Sequence, residues 1–188
     1  MHTGFLALLL SAASSGLAYD ALDQSKYDTI VVFSTDASSD SKNIVIGINS
    51  ELAPLGATRL KDMLALNFFD DSAFFRVVPD FVIQFGISGK PALNTLFAES
   101  IEDDPVLATN TRGTLSYAMA GANTRTTQLF INLVDNSQLL DSQGFAAFGG
   151  VISGMDVLRN LTNPTPQDTG GVYQDDYINK GAEWIDKN

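Results

Sequence analysis

The chain has 188 residues, a length typical of a single domain. Hydrophobic residues make up 45% of it and charged residues 18%, so the chain can fill a hydrophobic core and is not of the disordered class. Its formal net charge of −11 argues against a nucleic-acid-binding protein, because a phosphate backbone would be repelled.

Residues 1–18 have the pattern of a secretory signal peptide, although no Lys or Arg precedes the apolar part. The apolar run Phe5–Leu10 is followed by small residues that end in a candidate cleavage site near Ala18. This run is too short for a transmembrane helix, and no later segment qualifies. We therefore expect a mature chain that begins near Tyr19 and is secreted or lies in the lumen of the secretory pathway. An uncleaved anchor is the alternative.

Removal of this segment leaves a chain without histidine or cysteine. His2 is the only histidine, and the sequence contains no cysteine. The mature protein therefore has no disulfide, no Cys nucleophile, no Ser-His pair and no Cys/His zinc site. The hydrophobic core alone must hold the fold, and the chain is long enough for that.

The rest of the sequence is dominated by strand-like segments. β-Branched and aromatic residues predict strands at 29–34, 43–49, 74–85, 114–120, 128–134 and 146–152. Pro79 marks a break or an edge within the third of these segments. Many strands and few helices favour a β-barrel with helical covers.

Two helices are predicted among the strands. Residues 52–66 carry apolar side chains at helical spacing, and residues 155–163 form a shorter helix that ends before Pro164. Residues 86–112 are rich in Gly, Pro, Asn and Asp and predict an extended loop. The neighbouring acids Asp103-Asp104 in that loop are interpreted as solvated side chains rather than as a metal site.

A single arginine, Arg76, lies in the apolar segment FFRVVPDFVIQFG at 74–86. Burying a cation among such residues is costly unless something compensates for it. Taken alone, the pattern favours an outward-facing strand residue over a catalyst. Gln84 and Gln128 are more specific, because polar residues on otherwise apolar strands need hydrogen-bond partners.

Four blocks of the sequence together resemble the cyclophilin family. The segment at 74–86 is similar to the pattern F-(H/F)-R-(V/I)-(I/V)-P-x-F-x-(I/C)-Q-x-G, and LAPLGATRL at 52–60 is similar to the entry of the family's first helix. RGTLSYAMAGANTRTTQLFINLVDN at 112–136 and FAAFGGVISGMDVL at 145–158 resemble two further segments of the family. The order and spacing of the blocks make the resemblance strong.

The resemblance implies a closed eight-stranded antiparallel β-barrel capped by two α-helices, formed by residues 19–188. It also implies a peptidyl-prolyl cis-trans isomerase that assists protein folding, acts on proline-containing peptides and proteins, and needs no cofactor. The alternative is a secreted proline-peptide-binding or structural module with little or no turnover. We expect a monomer.

The resemblance further implies roles for single residues. Arg76 and Gln84 are the implied catalytic residues, Arg76 as the catalytic arginine and Gln84 as a polar group beside it. The implied substrate-binding residues line a proline pocket or lie along the bound peptide, and they are Phe81, Val82, Ala118, Met119, Ala120, Gln128, Phe130, Leu139, Leu140 and Phe145. No metal ligand is implied.

The carboxyl-terminal tail, from about residue 164, departs from the family pattern because it contains no apolar final strand. We interpret residues 172–185 as an extended segment that ends in a short helix and packs through Tyr177 and Trp184. Asn160 begins an Asn-Leu-Thr sequence, a candidate glycosylation site if the host is eukaryotic.

Overall fold

The strands form one antiparallel sheet in a computed structural model that describes residues 5–10, 26–36, 43–165 and 170–188, with residues 5–10 described by their backbone. In chain order the strands are β1 Phe5–Leu10, β2 Thr29–Thr35, β3 Ile44–Ile48, β4 Arg76–Val78, β5 Val82–Phe85, β6 Thr114–Tyr117, β7 Leu129–Asn132 and β8 Ala147–Ser153. The helices are α1 Pro54–Ala65, α2 Pro91–Leu96, α3 Ser137–Leu140, α4 Met155–Arg159, α5 Gln174–Lys180 and α6 Ala182–Ile185.

The sheet has the strand order β1-β2-β3-β8-β6-β7-β5-β4, and each neighbouring pair is antiparallel. Strands β2–β8 form a curled half-barrel, and β1 adds to its β2 edge. The register shifts between Val45 and Ile46 and between Leu115 and Ser116, where β8 pairs with β3 and β6. Such irregularities bend a sheet and increase its twist. The predicted mainly β fold with helices is confirmed.

The predicted closure into an eight-stranded barrel is not confirmed. The outermost strands are β1 and β4, and the described residues include no pairing between them. The tail covers the β4 side instead: the Val172 N–H donates to the Phe75 carbonyl at 3.2 Å, and the Val77 N–H donates to Asn163 Oδ1 at 3.2 Å. These contacts satisfy backbone groups that an edge strand would otherwise leave open.

The tail folds into α5 and α6, so the predicted extended segment with one helix is wrong. The predicted packing through Tyr177 and Trp184 is confirmed, because Tyr177 is buried with Phe75 and Ile185 in a cluster on which Trp184 packs. The Tyr177 hydroxyl accepts a hydrogen bond from the Ala73 N–H at 2.9 Å. The tail is therefore attached to the residues that lead into β4.

Helix α1 is held at its first turn by the acid Asp104. Its carboxylate accepts hydrogen bonds from the Leu55 N–H at 3.0 Å and the Gly56 N–H at 2.9 Å, and Arg125 Nη1 lies 3.0 Å from it. A carboxylate stabilises a helix amino terminus because it satisfies open N–H groups and faces the positive end of the helix dipole. Asp104 is buried, so its interpretation as a solvated side chain is wrong.

The amino-terminal segment contributes strand β1, which pairs with β2 from Phe5 opposite Thr35 to Leu10 opposite Ile30. His2, the cleavage site near Ala18 and the predicted first mature residue, Tyr19, lie outside the described residues. Within the described ranges, no helix is long and apolar enough to cross a bilayer.

Candidate active site

A β-hairpin brings Arg76 and Gln84 together. The two residues are direct cross-strand partners in β4 and β5, and Arg76 Nη1 donates to Gln84 Oε1 at 3.2 Å. The hairpin turn contains Asp80 at φ 56°, a left-handed conformation that Asp tolerates through its short polar side chain. Arg76 is half-buried, and this burial lowers the pKa of its guanidinium, which nevertheless stays charged at neutral pH.

The sheet register places polar and apolar site residues on one face. Arg76, Gln84, Phe130 and Ser116 form a row of direct partners across β4, β5, β7 and β6. Directly opposed residues in antiparallel strands project from the same face of the sheet. Val82, two residues before Gln84, shares that face because side chains alternate along a strand.

Apolar side chains form the wall of an open pocket of about 170 Å3 beside the guanidinium. Val82, Phe130 and Leu140 are buried in one cluster, and Phe81 and Phe145 pack against it. The rings of Phe130 and Phe145 meet edge to face, with centroids 5.6 Å apart. The pocket lining consists of Arg76, Phe81, Val82, Gln84, Ala118, Met119, Phe130, Leu140 and Phe145.

Three residues predicted to bind substrate do not line this pocket. Gln128 lies next to the lining and joins it through Gln84, whose Nε2 donates to Gln128 Oε1 at 2.6 Å. Ala120 is exposed beyond the end of β6, and its N–H donates to Thr124 Oγ1 at 2.8 Å. Leu139 lies in α3 with 51% of its surface exposed. The predicted strand 114–120 ends at Tyr117.

Behind the apolar wall lies a polar network that the sequence did not predict. Asn110 Nδ2 donates to the Phe145 carbonyl at 2.8 Å. Asn136 Nδ2 donates to the Phe81 carbonyl at 3.0 Å and to Asn132 Oδ1 at 2.8 Å. Because the two carbonyls belong to wall residues, these buried amides fix the loops that form the wall. The available signal was an amide, Asn132, inside an otherwise apolar strand.

The polar groups of the pocket lining can act on a bound molecule through electrostatic interactions. Arg76 is the only ionisable residue in its lining, and Gln84 is the only other one with a polar side chain. Among the residues that the structure describes, no three His, Cys, Asp or Glu side chains form a group that could hold a metal ion. The arrangement can hold an apolar ring against Phe and Leu side chains and present a guanidinium beside it.

The sequence model of one protein family, the cyclophilin type peptidyl-prolyl cis-trans isomerase/CLD family, matches residues 30–182. The chain belongs to this family. A peptidyl-prolyl cis-trans isomerase of Acinetobacter baylyi is 36% identical over 137 residues, which cover 70% of this chain and 72% of that protein. Peptidyl-prolyl cis-trans isomerase B of Escherichia coli is 31% identical over 141 residues, covering 71% of this chain and 85% of that protein. The cyclophilin-type chain is therefore a peptidyl-prolyl cis-trans isomerase.

Solved cyclophilin structures share the fold. The crystal structure of a cyclophilin type peptidyl-prolyl cis-trans isomerase of Cryptosporidium parvum has a TM-score of 0.59 and 22% identity, over 74% of this chain and 90% of that one. The same protein in the presence of the dipeptide Ala-Pro gives a TM-score of 0.60 at 19% identity, over 77% and 91% of the two chains. These similarities establish a cyclophilin-like architecture.

Proposed function

We propose that this cyclophilin accelerates rotation about X-Pro bonds with Arg76 as the catalytic residue and the adjoining apolar pocket as the proline site. The observation that carries the proposal is the half-buried guanidinium of Arg76, held by Gln84 at the edge of a pocket lined by Phe81, Phe130 and Leu140. Proline-containing segments of proteins are the proposed substrates. The Cryptosporidium parvum structure determined in the presence of the dipeptide Ala-Pro supports this substrate class.

The reaction needs a lower rotational barrier rather than a new bond. Amide resonance opposes rotation by about 18–20 kcal/mol, because the nitrogen lone pair is delocalised into the carbonyl. At an X-Pro bond the two isomers differ by only about 0.5–1 kcal/mol, so the catalyst has to act on the barrier alone. When the bond twists, the lone pair is localised on the prolyl nitrogen and can accept a hydrogen bond from a guanidinium.

Arg76 suits this role because its interaction with the nitrogen strengthens as the bond twists. An interaction that is stronger in the transition state than in the ground state raises the rate. The apolar wall lowers the local dielectric beside the guanidinium and so strengthens its electrostatic effect. Arginine is also more weakly hydrated than lysine and stays charged throughout.

The Arg76→Ala variant tests the proposal. We expect its kcat/KM for an Ala-Pro or Leu-Pro peptide to fall about 10²–10³-fold, the usual effect of losing one group of this kind. Arg76→Lys should be nearly as harmful, because an ammonium is compact and strongly hydrated. Arg159→Ala, at an exposed position in α4, is the matched control. Full activity in a folded Arg76→Ala protein, as judged by circular dichroism, would refute the mechanism.

We also propose that the chain is exported and that cleavage occurs near Ala18. The apolar run Phe5–Leu10 and the small residues that follow it support this. Amino-terminal sequencing of the mature protein should start near Tyr19, and soluble cytosolic protein with an intact Met1 would contradict the proposal.

In a eukaryotic host, the exposed Asn160 next to α4 is the proposed glycosylation site, testable by the mass change on deglycosylation.

A further inference from the structure

Three glutamine side chains connect the catalytic arginine to the carboxyl-terminal tail. Arg76 Nη1 donates to Gln84 Oε1 at 3.2 Å, and Gln84 Nε2 donates to Gln128 Oε1 at 2.6 Å. Gln128 Nε2 in turn donates to Gln174 Oε1 at 2.9 Å. The three amides are half-buried and come from β5, from the residue before β7 and from the start of α5.

The arginine sets the direction of this chain of hydrogen bonds. A guanidinium only donates, so Gln84 must turn its oxygen towards Arg76 and its NH2 group towards Gln128. Gln128 must then offer its oxygen to Gln84 and its NH2 group to the next residue. Gln174 is the last acceptor in this series of hydrogen bonds. Hydrogen bonds that all run in one direction polarise and strengthen one another.

The tail reaches Arg76 by a second route, through the backbone. The Val172 N–H donates to the carbonyl of Phe75, the residue before Arg76. Gly171 lies so close that a Cβ atom added to it would be 2.7 Å from Arg76 Cβ and 3.1 Å from Arg76 Cα. Tyr177, one turn further along α5 than Gln174, is fully buried and bonded to Ala73. Gln174 therefore projects from a segment that is anchored on both sides.

We propose that Gln174 is a positioning residue for the isomerase reaction and that the tail is a functional part of the active site. As the terminal acceptor, Gln174 fixes the orientation of Gln128, which fixes Gln84 and thereby the guanidinium of Arg76. This inference rests on the proposed catalytic role of Arg76. Gln174 itself does not line the pocket, so it acts through the other residues rather than on the substrate.

Three substitutions in the full-length protein test whether an acceptor is required at position 174. Gln174→Ala removes it and should lower kcat for an Ala-Pro peptide about three- to tenfold at nearly constant KM, as expected for one hydrogen bond. Gln174→Glu retains an acceptor oxygen and should restore most of the rate. Gln174→Lys offers only donors, so Gln128 must turn its amide oxygen towards position 174. The NH2 group of Gln128 then faces the NH2 group of Gln84, and these two donors repel each other. The Lys variant should be the slowest of the three.

Asn179→Ala, at an exposed position on the same helix, is the matched control and should keep the full rate. The NMR signal of the Arg76 Nε–H group should shift in the Ala and Lys variants and stay in place in the Glu variant and the control. Equal losses in the Ala and Glu variants, a higher KM at unchanged kcat, or an unshifted arginine signal in Gln174→Ala would each overturn the proposal.

A double-mutant cycle separates this inference from the proposed function. If Gln174 acts through Arg76, then Gln174→Ala should have no further effect in an Arg76→Ala background at high enzyme concentration. The same loss in both backgrounds would overturn the positioning role while leaving the role of Arg76 intact. Full activity of Arg76→Ala alone would overturn the proposed function and this inference together.

Discussion

Asp28 shows how local hydrogen bonds can outweigh the cost of partial burial. Burial opposes its ionisation, but the Ser50 N–H at 2.6 Å, Thr29 Oγ1 at 2.7 Å, Ser50 Oγ at 2.9 Å and Lys61 Nζ at 3.2 Å all face its carboxylate. Together they lower the pKa of Asp28 to about 2. Asp28, the residue before β2, is thus bonded to Ser50 in the loop before α1.

This lowered pKa predicts a specific loss of stability in acid. The stabilising contribution of Asp28 is fully present above its unfolded pKa of about 3.9, and it is lost as the pH falls through its folded value of about 2. Urea unfolding between pH 5 and about pH 2 should therefore show a smaller pH dependence for Asp28→Asn than for the unmodified protein. The exposed Asp62→Asn serves as control. Identical pH dependence in all three proteins would contradict the assignment.

Gly171 is a second residue at which the surroundings predict the effect of a substitution. Its φ of 82° is in the left-handed region, and a Cβ there would collide with the Phe75 carbonyl oxygen and with Arg76 Cβ. Gly171→Ala should therefore lower isomerase activity by moving Arg76, in addition to the strain of the left-handed backbone. Gly113→Ala is a close control, because Gly113 has φ 87° and its nearest neighbour, Met155 Sδ, is 3.8 Å from the added Cβ. Equal activity in the two variants would show that the contact with Arg76 is unimportant.

At the scale of elements, a buried hydroxyl helps to attach α5 to the residues that lead into β4. Burial raises the pKa of Tyr177 well above its ordinary range, so the hydroxyl stays protonated and accepts the Ala73 N–H. Tyr177→Phe leaves that buried N–H without its acceptor, which costs about 1–3 kcal/mol of unfolding free energy. Tyr173→Phe, with 78% of Tyr173 exposed, should cost almost nothing. A negligible effect of Tyr177→Phe on the free energy of unfolding in urea would contradict the stabilising role of this hydroxyl.

The sequence predicted strands β2–β8 and α1 because their patterns are periodic and local, whereas the residues of β1 were interpreted as part of a signal peptide. Strand β6 ends earlier than predicted, and Ala120 beyond it turns its N–H to Thr124. Helix α2 lay inside a predicted loop, because Pro91 and its neighbours are typical of both loops and helix first turns. The tail was predicted to be largely extended, whereas its polar sequence forms two short helices separated at Gly181, with φ 68°.

The residues of the candidate site were likewise predictable from the sequence only in part. Arg76 and Gln84 could be predicted because they lie eight residues apart in one segment with a recognisable pattern. Gln174 could not, because it lies 46 residues from Gln128 in a polar stretch without any period that marks it. The bonds from Asn110 to Phe145 and from Asn136 to Phe81 likewise join distant loops. Such contacts are products of the tertiary structure.

At the scale of the whole molecule, strand β1 and the carboxyl-terminal tail lie at opposite edges of the sheet. Strand β1 lies at one edge beside β2, and the tail covers β4 at the other. Strands β2, β3, β8 and β6 separate β1 from the strands β7, β5 and β4 that carry most of the polar site. Among the described residues near the two ends, the carboxyl-terminal tail therefore contacts the hairpin of Arg76, whereas β1 pairs with β2.

This asymmetry predicts opposite outcomes for two truncations. Deleting residues 1–18 removes β1, whose pairing partner is β2, and should leave a folded protein with unchanged kcat/KM. Deleting residues 171–188 removes the Val172 bond to Phe75, the Tyr177 bond to Ala73 and the acceptor at Gln174, so activity should fall at least as far as in Gln174→Ala. Circular dichroism and proline isomerisation, measured on both proteins, check the prediction. Loss of activity in a folded protein without residues 1–18 would contradict the prediction. A full rate without residues 171–188 would also contradict it, because the support of Arg76 would then come from elsewhere in the fold.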